Sequence, residues 1–205
     1  MPRFAVLIPT RDRPDTVVHA VASVLRQPTD DVEVIVHDNS TDTSTVAALD
    51  RIEDRRLRIV HHPATLTMTG NWEAGLALVD ADRVMVLGDD DALLPAALPS
   101  LERLLVDPSV GVVTWDKVKY SWPQRGFDRD KLKLPVAGRD RLQSSRVLLE
   151  RTIREARAYE RLPMLYSSFV PTELLSEIGR RAGRIVGSQS PDVYSGTAIA
   201  LLVPT

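Results

Sequence analysis

Short apolar runs alternate along this chain with longer stretches whose apolar residues recur every three or four positions. Phe4–Ala5–Val6–Leu7–Ile8 is continuously apolar and predicts a buried strand, closed by Pro9. Pro14 and Asp15 open a predicted helix with Val17, Val18, Val21, Val24 and Leu25 on one stripe, and Gln27–Pro28 ends it. Val32 to Val36 predicts a second strand that stops at His37–Asp38–Asn39–Ser40. Thr41 to Ser44 caps a helix reaching about Ile52, and Leu57 to Val60 is a short third strand. A helix beginning at Gly70 carries Leu76, Ala77 and Val79, and Val84 to Leu87 predicts a fourth strand. A further helix from Pro95 to about Leu105 and a fifth strand from Val110 to Trp115 complete the pattern. Strands and helices that alternate over short connections predict an α/β fold: a mostly parallel sheet covered by helices on both faces. The polar turns after strands one, two and four then meet at one edge of that sheet.

Beyond Trp115 the pattern changes, which divides the chain into an α/β half, residues 1–115, and a smaller half, residues 116–205, of the same domain. Tyr120 to Phe127 is an aromatic loop with Pro and Gly, continued by the charged run Asp128 to Lys133. It reads as a cover over a site or as a solvated connection. Arg139 to about Ala158 predicts one long helix with a solvated charged face, and Met164 to Val170 predicts a strand. Pro171–Thr172–Glu173 opens a helix expected to end near Gly179, and Ser190–Pro191–Asp192 precedes a final apolar helix. A chain that stops at Pro204–Thr205, directly after an apolar helix, suggests a longer parent protein.

Composition narrows the function without naming it. The 205 residues are 43% apolar and 26% charged, ordinary for a globular domain with a sizeable core. A net charge of −2 gives no support for a nucleic-acid partner or for an electrostatic hold on anionic membranes. The absence of Cys excludes disulfides, thiolate metal sites and Cys nucleophiles, and fits a reducing compartment. No apolar run is long enough to be a transmembrane segment, and the N-terminal run is too short for a signal peptide, so the expected location is cytoplasmic. The four His include no pair at the i, i+4 spacing of a zinc site, and His37 reads as structural.

The candidate chemistry lies in the turns. Asp89, Asp90 and Asp91 follow Gly88 where the fourth strand leaves the sheet, the edge at which open α/β sheets bind ligands. Adjacent carboxylates repel unless a cation offsets them, and oxygen-only ligands suit Mg²⁺ or Mn²⁺ bridged to phosphates. The alternative is a polar loop capping the following helix. In the turn Pro9–Thr10–Arg11–Asp12–Arg13, the two Arg offer forks suited to a diphosphate. Asp38 can accept a hydrogen bond from a base N–H or a ribose hydroxyl, whereas Ser40 and Asp42 suit the turn and helix start that follow. Trp115 reads as core, and Trp122 reads as a stacking surface for a sugar.

These three turns, in this order on a β/α frame, resemble the inverting family-2 glycosyltransferases of the GT-A fold. The likeness spans Phe4 to Leu104 and includes Ser23–Val24–Leu25–Arg26–Gln27 and Asn71–Trp72–Glu73–Ala74–Gly75–Leu76. It implies a GT-A sheet with a smaller acceptor-side C-terminal part and transfer of a sugar, with inversion, from a nucleoside-diphosphate sugar, UDP-linked by default. Acceptors of the family class are hydroxyls of saccharides, lipid-linked saccharides or proteins, in cell-surface polysaccharide biosynthesis, with membrane association compatible with that role. The resemblance assigns Pro9, Thr10, Arg11, Arg13, Asp38 and Asp89 to the nucleotide. It assigns Asp90 and Asp91 to a metal, Mn²⁺ or Mg²⁺, with Asp90 the leading ligand. The family's commoner motif begins with a carboxylate where this chain has Gly88, which leaves the division of roles among the three Asp open. An inverting transferase needs a general base, which in the family comes from a helix start in the second half; Asp192 fits, with Glu173 as the rival. A nucleotidyltransferase would share the sheet and the carboxylates, but the turn after strand one lacks the Gly-rich loop such enzymes need. A sugar-nucleotide-binding domain without catalysis is the other alternative.

Overall fold

A computed structural model of the chain describes residues 2–121, 131–136, 138–155 and 159–203. Four parallel strands, β1 (Phe4–Thr10), β2 (Val32–Asp38), β3 (Leu57–His61) and β4 (Arg83–Val86), form the body of a six-stranded sheet. Two short strands extend it, β5 (Val113–Thr114) and β8 (Ser168–Pro171), giving the order β3-β2-β1-β4-β8-β5. β8 runs antiparallel to both β4 and β5, so the sheet is mixed but mostly parallel. A strand of the second half is thus built into the sheet of the first.

The period-2 alternation within each strand sorts its side chains between two cores. Phe4, Val6 and Ile8 pack against Val17, Val21 and Val24 of α1 (Pro14–Leu25), Leu49 of α2 (Ser44–Leu49), and Leu98 and Leu101 of α4 (Ala97–Leu104). Ala5 and Leu7 face the other way. They pack with Leu76 of α3 (Met68–Leu76), Leu175 and Ile178 of α6 (Thr172–Ala182), and Ile199 of α7 (Pro191–Leu202). Phe4 and Phe169 meet edge to face at 5.4 Å, and Trp115 packs against Phe169 at 5.9 Å, joining β8 to the first core.

Several boundaries differ from the sequence reading, for identifiable reasons. Pro9 does not close β1, which continues to Thr10. The register with β4 has ended at Leu7, whose carbonyl accepts from Leu87 N–H, so Pro9 lacks its N–H on a side where no strand needs it. Helix α6 runs through Gly179 and stops at Gly183, which adopts the left-handed conformation (φ 73°) that favours glycine. The expected strand from Met164 to Val170 is a single 3₁₀ turn, Leu165–Ser167, followed by β8. The long helix expected from Arg139 is shorter, α5 (Ser145–Glu155); residues 138–144 are irregular, and Ala156, Arg157 and Ala158 lie outside the described residues. The stretch after Trp115 contains two short strands that pair antiparallel, β6 (Lys119–Ser121) with β7 (Lys131–Lys133). Trp122 lies outside the described residues. Among the described residues no helix is long and apolar enough to cross a membrane.

Candidate active site

The strand registers line up a row of polar residues on the carboxyl edge of the sheet. Thr10 is paired with Asp38, and Asp38 with His61, across β1, β2 and β3. Asp89 joins the row from β4 through its side chain: Thr10 Oγ1 donates to Asp89 Oδ2 at 2.7 Å. With strands about 4.8 Å apart, the row from His61 to Asp89 spans roughly 14 Å.

Asp89 is nearly buried, so its charge requires partners. Besides Thr10 it is held by Arg13, whose Nη1 lies 3.0 Å from Asp89 Oδ1 and 3.0 Å from Asp90 Oδ2. Arg13 stands at the N-terminal cap of α1 with Pro14 at the first helical position, and the rigid helix start fixes where the side chain leaves the backbone. The neighbouring Asp89 and Asp90 raise the already high pKa of this guanidinium, which remains a fixed cation. Arg11 does not join the cluster. It is exposed, and its ion pair is with Asp12 at 3.5 Å.

Asp12 adopts a left-handed conformation (φ 54°) and ties the first turn to the second. Its N–H donates to Ser40 Oγ at 2.8 Å, and its Oδ1 accepts from Thr41 N–H at 2.8 Å and from Thr41 Oγ1 at 3.0 Å. These bonds, the Thr41 N–H first, hold the Asp12 carboxyl below its ordinary pKa. Asp42 accepts from Ser44 N–H at 2.9 Å and serves the start of α2. Asp38 is fully buried; Oδ1 accepts from Ser40 N–H at 3.0 Å and Oδ2 is 2.9 Å from His61 Nδ1. His37 is buried against Asn71, whose Nδ2 reaches the Thr10 carbonyl at 3.3 Å. Asn39 pins the loop after β3, donating to Ala64 O at 2.6 Å and accepting from Leu66 N–H at 2.7 Å.

Gly88 has a steric role where the sequence suggests a missing carboxylate. A Cβ there would stand 2.6 Å from Asp91 Oδ2 and 3.3 Å from Asp90 Oδ1, so the bare backbone is what lets Asp91 fold back over the turn. Asp91 N–H donates to Gly88 O at 3.1 Å and closes that turn. Burial first, then repulsion from Asp90 and Asp89, pushes the Asp91 carboxyl above its ordinary pKa, while Lys117 opposes the shift. Among the described residues no three His, Asp or Glu side chains converge as a protein-only metal cage. A hard cation such as Mg²⁺ commonly binds through one or two carboxylates and substrate phosphates. Asp90 and Asp91 could supply that donor set: the Asp91 carboxylate has no hydrogen-bond or ion-pair partner among the described residues, and Asp90 spends one oxygen on Arg13. The chemistry of the cluster therefore fits a divalent cation.

The charges of Glu160, Asp192 and Asp91 favour the charged form of Lys117. Its Nζ lies 3.7 Å from the centroid of the Tyr166 ring and also donates to the Tyr166 hydroxyl. Burial lowers the Lys117 pKa, and Lys119 adds to the effect. Burial raises the Asp192 carboxyl, with Lys117 in opposition. Asp192 occupies the first turn of α7 after Pro191. Gly196 lets that helix approach the segment before β8, since a Cβ there would meet Met164 Cγ at 2.9 Å. The connection leading into α7 is tied to α3 by Thr69 Oγ1, which donates to Ser188 O at 3.0 Å, and by Val186 N–H, which donates to Glu73 Oε1. Glu173 lies elsewhere. The neighbouring Thr172 N–H donates to Asp82 O at 3.0 Å, beside the amino end of β4. The antiparallel direction of β8 thus carries Glu173 to the edge opposite Asp89. Lys117 and Tyr166 are the residues that sequence reasoning missed; no motif marks either.

Comparison with known proteins places the chain among glycosyltransferases. Over 104 residues the chain is 35% identical to the GalNAc(5)-diNAcBac-PP-undecaprenol beta-1,3-glucosyltransferase of Campylobacter jejuni, covering 49% of this chain but only 34% of that protein. The structure of S. aureus TarS 1-349 in complex with UDP-GlcNAc is similar over 97% of this chain and 53% of that one, with a TM-score of 0.67 and 17% identity. The mannosyltransferase PcManGT from Pyrobaculum calidifontis, in complex with GDP-Man and Mn²⁺, matches over 57% of this chain and 36% of that one, with 26% identity and a TM-score of 0.50. These neighbours share the GT-A fold. The model of glycosyl transferase family 2 matches residues 5–164, and the chain belongs to that family.

Proposed function

We propose that this domain transfers a glycosyl unit from a nucleoside-diphosphate sugar, UDP-linked by preference, to a hydroxyl acceptor with inversion at the anomeric carbon. The observation that carries the reading is the row His61, Asp38, Thr10 and Asp89 along the carboxyl edge, closed at its β4 end by the ion pairs of Arg13 with Asp89 and Asp90. The nucleoside lies over β1 and β2, and the diphosphate lies at Arg13 and the three Asp. Asp90 and Asp91 would hold a divalent cation, which would offset charge on the leaving diphosphate. Arg13 and Thr10 hold Asp89 in place, and Lys117 adds a positive charge on the side facing Asp192. Asp192 accepts the proton of the acceptor hydroxyl as its oxygen attacks. The new C–O bond forms while the bond to the phosphate oxygen breaks, and its electron pair leaves on the diphosphate.

The bound ligands of the two structural neighbours, UDP-GlcNAc and GDP-Man, support the donor class. The polyprenyl-linked name of the C. jejuni relative supports a lipid-linked saccharide acceptor and association with a membrane. Residues 1–115 serve the donor in this reading, and residues 116–205 serve the acceptor side. The test is release of nucleoside diphosphate from a panel of sugar nucleotides with Mn²⁺, using wild type and Asp192→Asn. Release by wild type that Asp192→Asn abolishes supports the reading. Equal release by both removes Asp192 as the base, and binding without any release favours a non-catalytic domain.

A further inference from the structure

Resting on the membrane association proposed above, we infer that the paired strands β6 and β7 carry the surface that seats the domain on an anionic lipid bilayer. The register sets Tyr120 directly opposite Leu132, so both side chains stand on one face of the pair. Lys119 is set opposite Lys133, and Ser121 opposite Lys131, on the other face. Val118 and Leu134 flank the strands and continue the alternation on the apolar side. All four apolar side chains are exposed, Leu132 by 59% and Leu134 by 62%. None of them belongs to a cluster of the core.

The cationic side is the one tied to the body of the protein. Lys117 precedes Lys119 by two residues, on the same side of the alternation, and its Nζ sits on the Tyr166 ring. Lys119 Nζ lies 3.7 Å from Glu160 Oε2. The apolar side therefore turns outward. Two strands alone are marginal in water unless their apolar face packs on something. An exposed apolar face on such a pair calls for a partner.

Charge selects the partner. Residues 117–161 hold 13 of the chain's 26 Lys and Arg but 6 of its 28 Asp and Glu. The overall net charge of −2 thus conceals a segment at +7. The cations extend beyond the paired strands. Glu160, which holds Lys119, lies next to the cluster of Leu149 and Leu162 that seats α5. The face of α5 opposite Leu149 presents Val147, Arg151 and Arg154, all exposed. An apolar layer backed by cations matches a bilayer surface. Its apolar side chains enter the boundary between headgroups and acyl chains, and its Lys and Arg heads stay at the phosphates. A protein partner that used only the apolar face would not call for the cations behind it.

The experiment is co-sedimentation of the chain with phosphatidylcholine vesicles, with and without phosphatidylglycerol, at low and high salt. Wild type is expected to bind the anionic vesicles about tenfold or more tighter than the neutral ones, with the difference lost at high salt. Lys133→Gln is expected to weaken anionic binding about fivefold, the share of one cation at the surface. Leu132→Ser combined with Leu134→Ser is expected to weaken it about tenfold or more. No binding by wild type, or equal binding to neutral and anionic vesicles, overturns the inference. Undiminished binding by the double variant overturns it too, because the surface then lies elsewhere. A concentration-dependent dimer of wild type that the double variant dissolves, with no vesicle binding, gives the face to a second copy instead. Wild type that releases nucleoside diphosphate from a sugar nucleotide but ignores vesicles leaves the glycosyl-transfer reading standing, so the two fail separately. The comparison of vesicles within wild type needs no variant, so a misfolded double variant does not protect the claim.

Discussion

Thr10 Oγ1 donates to Asp89 Oδ2 at 2.7 Å across 79 positions of sequence, and this bond joins the first turn to the carboxylate cluster. Thr10→Val keeps the shape of the side chain and leaves Asp89 short of a partner in a buried setting. A loss of about 1–3 kcal/mol of stability is expected, from the cost of an unsatisfied buried acceptor. Urea unfolding measures it directly. A midpoint equal to that of wild type would show that Arg13 alone satisfies Asp89.

Gly88→Ala tests the cluster from the opposite direction. The added methyl contacts the Asp91 carboxylate and not the core, so the fold should survive while Asp91 moves. The expected result is weaker Mn²⁺-dependent binding of UDP with little change in melting temperature. Unchanged metal-dependent binding would remove Asp91 from the proposed site.

Asp192 carries a sign that can be checked. Its carboxyl is raised above the ordinary value by burial, so the fold favours the protonated form. In the interval between the ordinary and the raised pKa the native state binds more protons than the unfolded chain. The ionised form therefore costs stability progressively as pH rises through that interval, and the cost persists above it. Asp192→Asn removes the cost. It is expected to abolish turnover while leaving the neutral-pH melting temperature equal to or above that of wild type. A clear fall in melting temperature would mark Asp192 as structural.

Lys117 sets the companion prediction. It opposes the rise at Asp192, so Lys117→Met should push that carboxyl further up. For a base that must be ionised to act, the acidic limb of kcat/KM then moves to higher pH. A fall in rate with no movement of the limb would assign Lys117 to the leaving diphosphate instead.

The parallel half of the fold was legible because its signals are local. The apolar runs at Phe4 to Ile8 and Val32 to Val36 are long enough to stand alone, and Pro14 marks a helix start by chemistry. The polar turns after β1, β2 and β4 fell on the carboxyl edge of the sheet as the alternation required. What stayed hidden depends on contacts distant in sequence. β5 has two residues and is a strand only because β8 pairs with it. The direction of β8 decides that Glu173 lies at the amino end of β4, away from Asp89, and nothing in Ser168 to Pro171 states a direction. Lys117 lies among ordinary polar residues and acquires its setting from Tyr166, 49 residues away. Asp38 was legible as a candidate, but its burial and its bond to His61 follow from strand register.

The central claim, that this edge binds a nucleoside diphosphate through a cation at the Asp cluster, is tested most directly by thermal unfolding with UDP, Mn²⁺, both and neither. A ligand that binds only the native state raises the melting temperature. The account predicts a shift with UDP and Mn²⁺ together that exceeds the sum of the separate shifts, and its loss in Asp91→Asn. A shift with UDP that is the same with and without Mn²⁺, or no shift with UDP, dTDP or GDP in the presence of Mn²⁺, would contradict it.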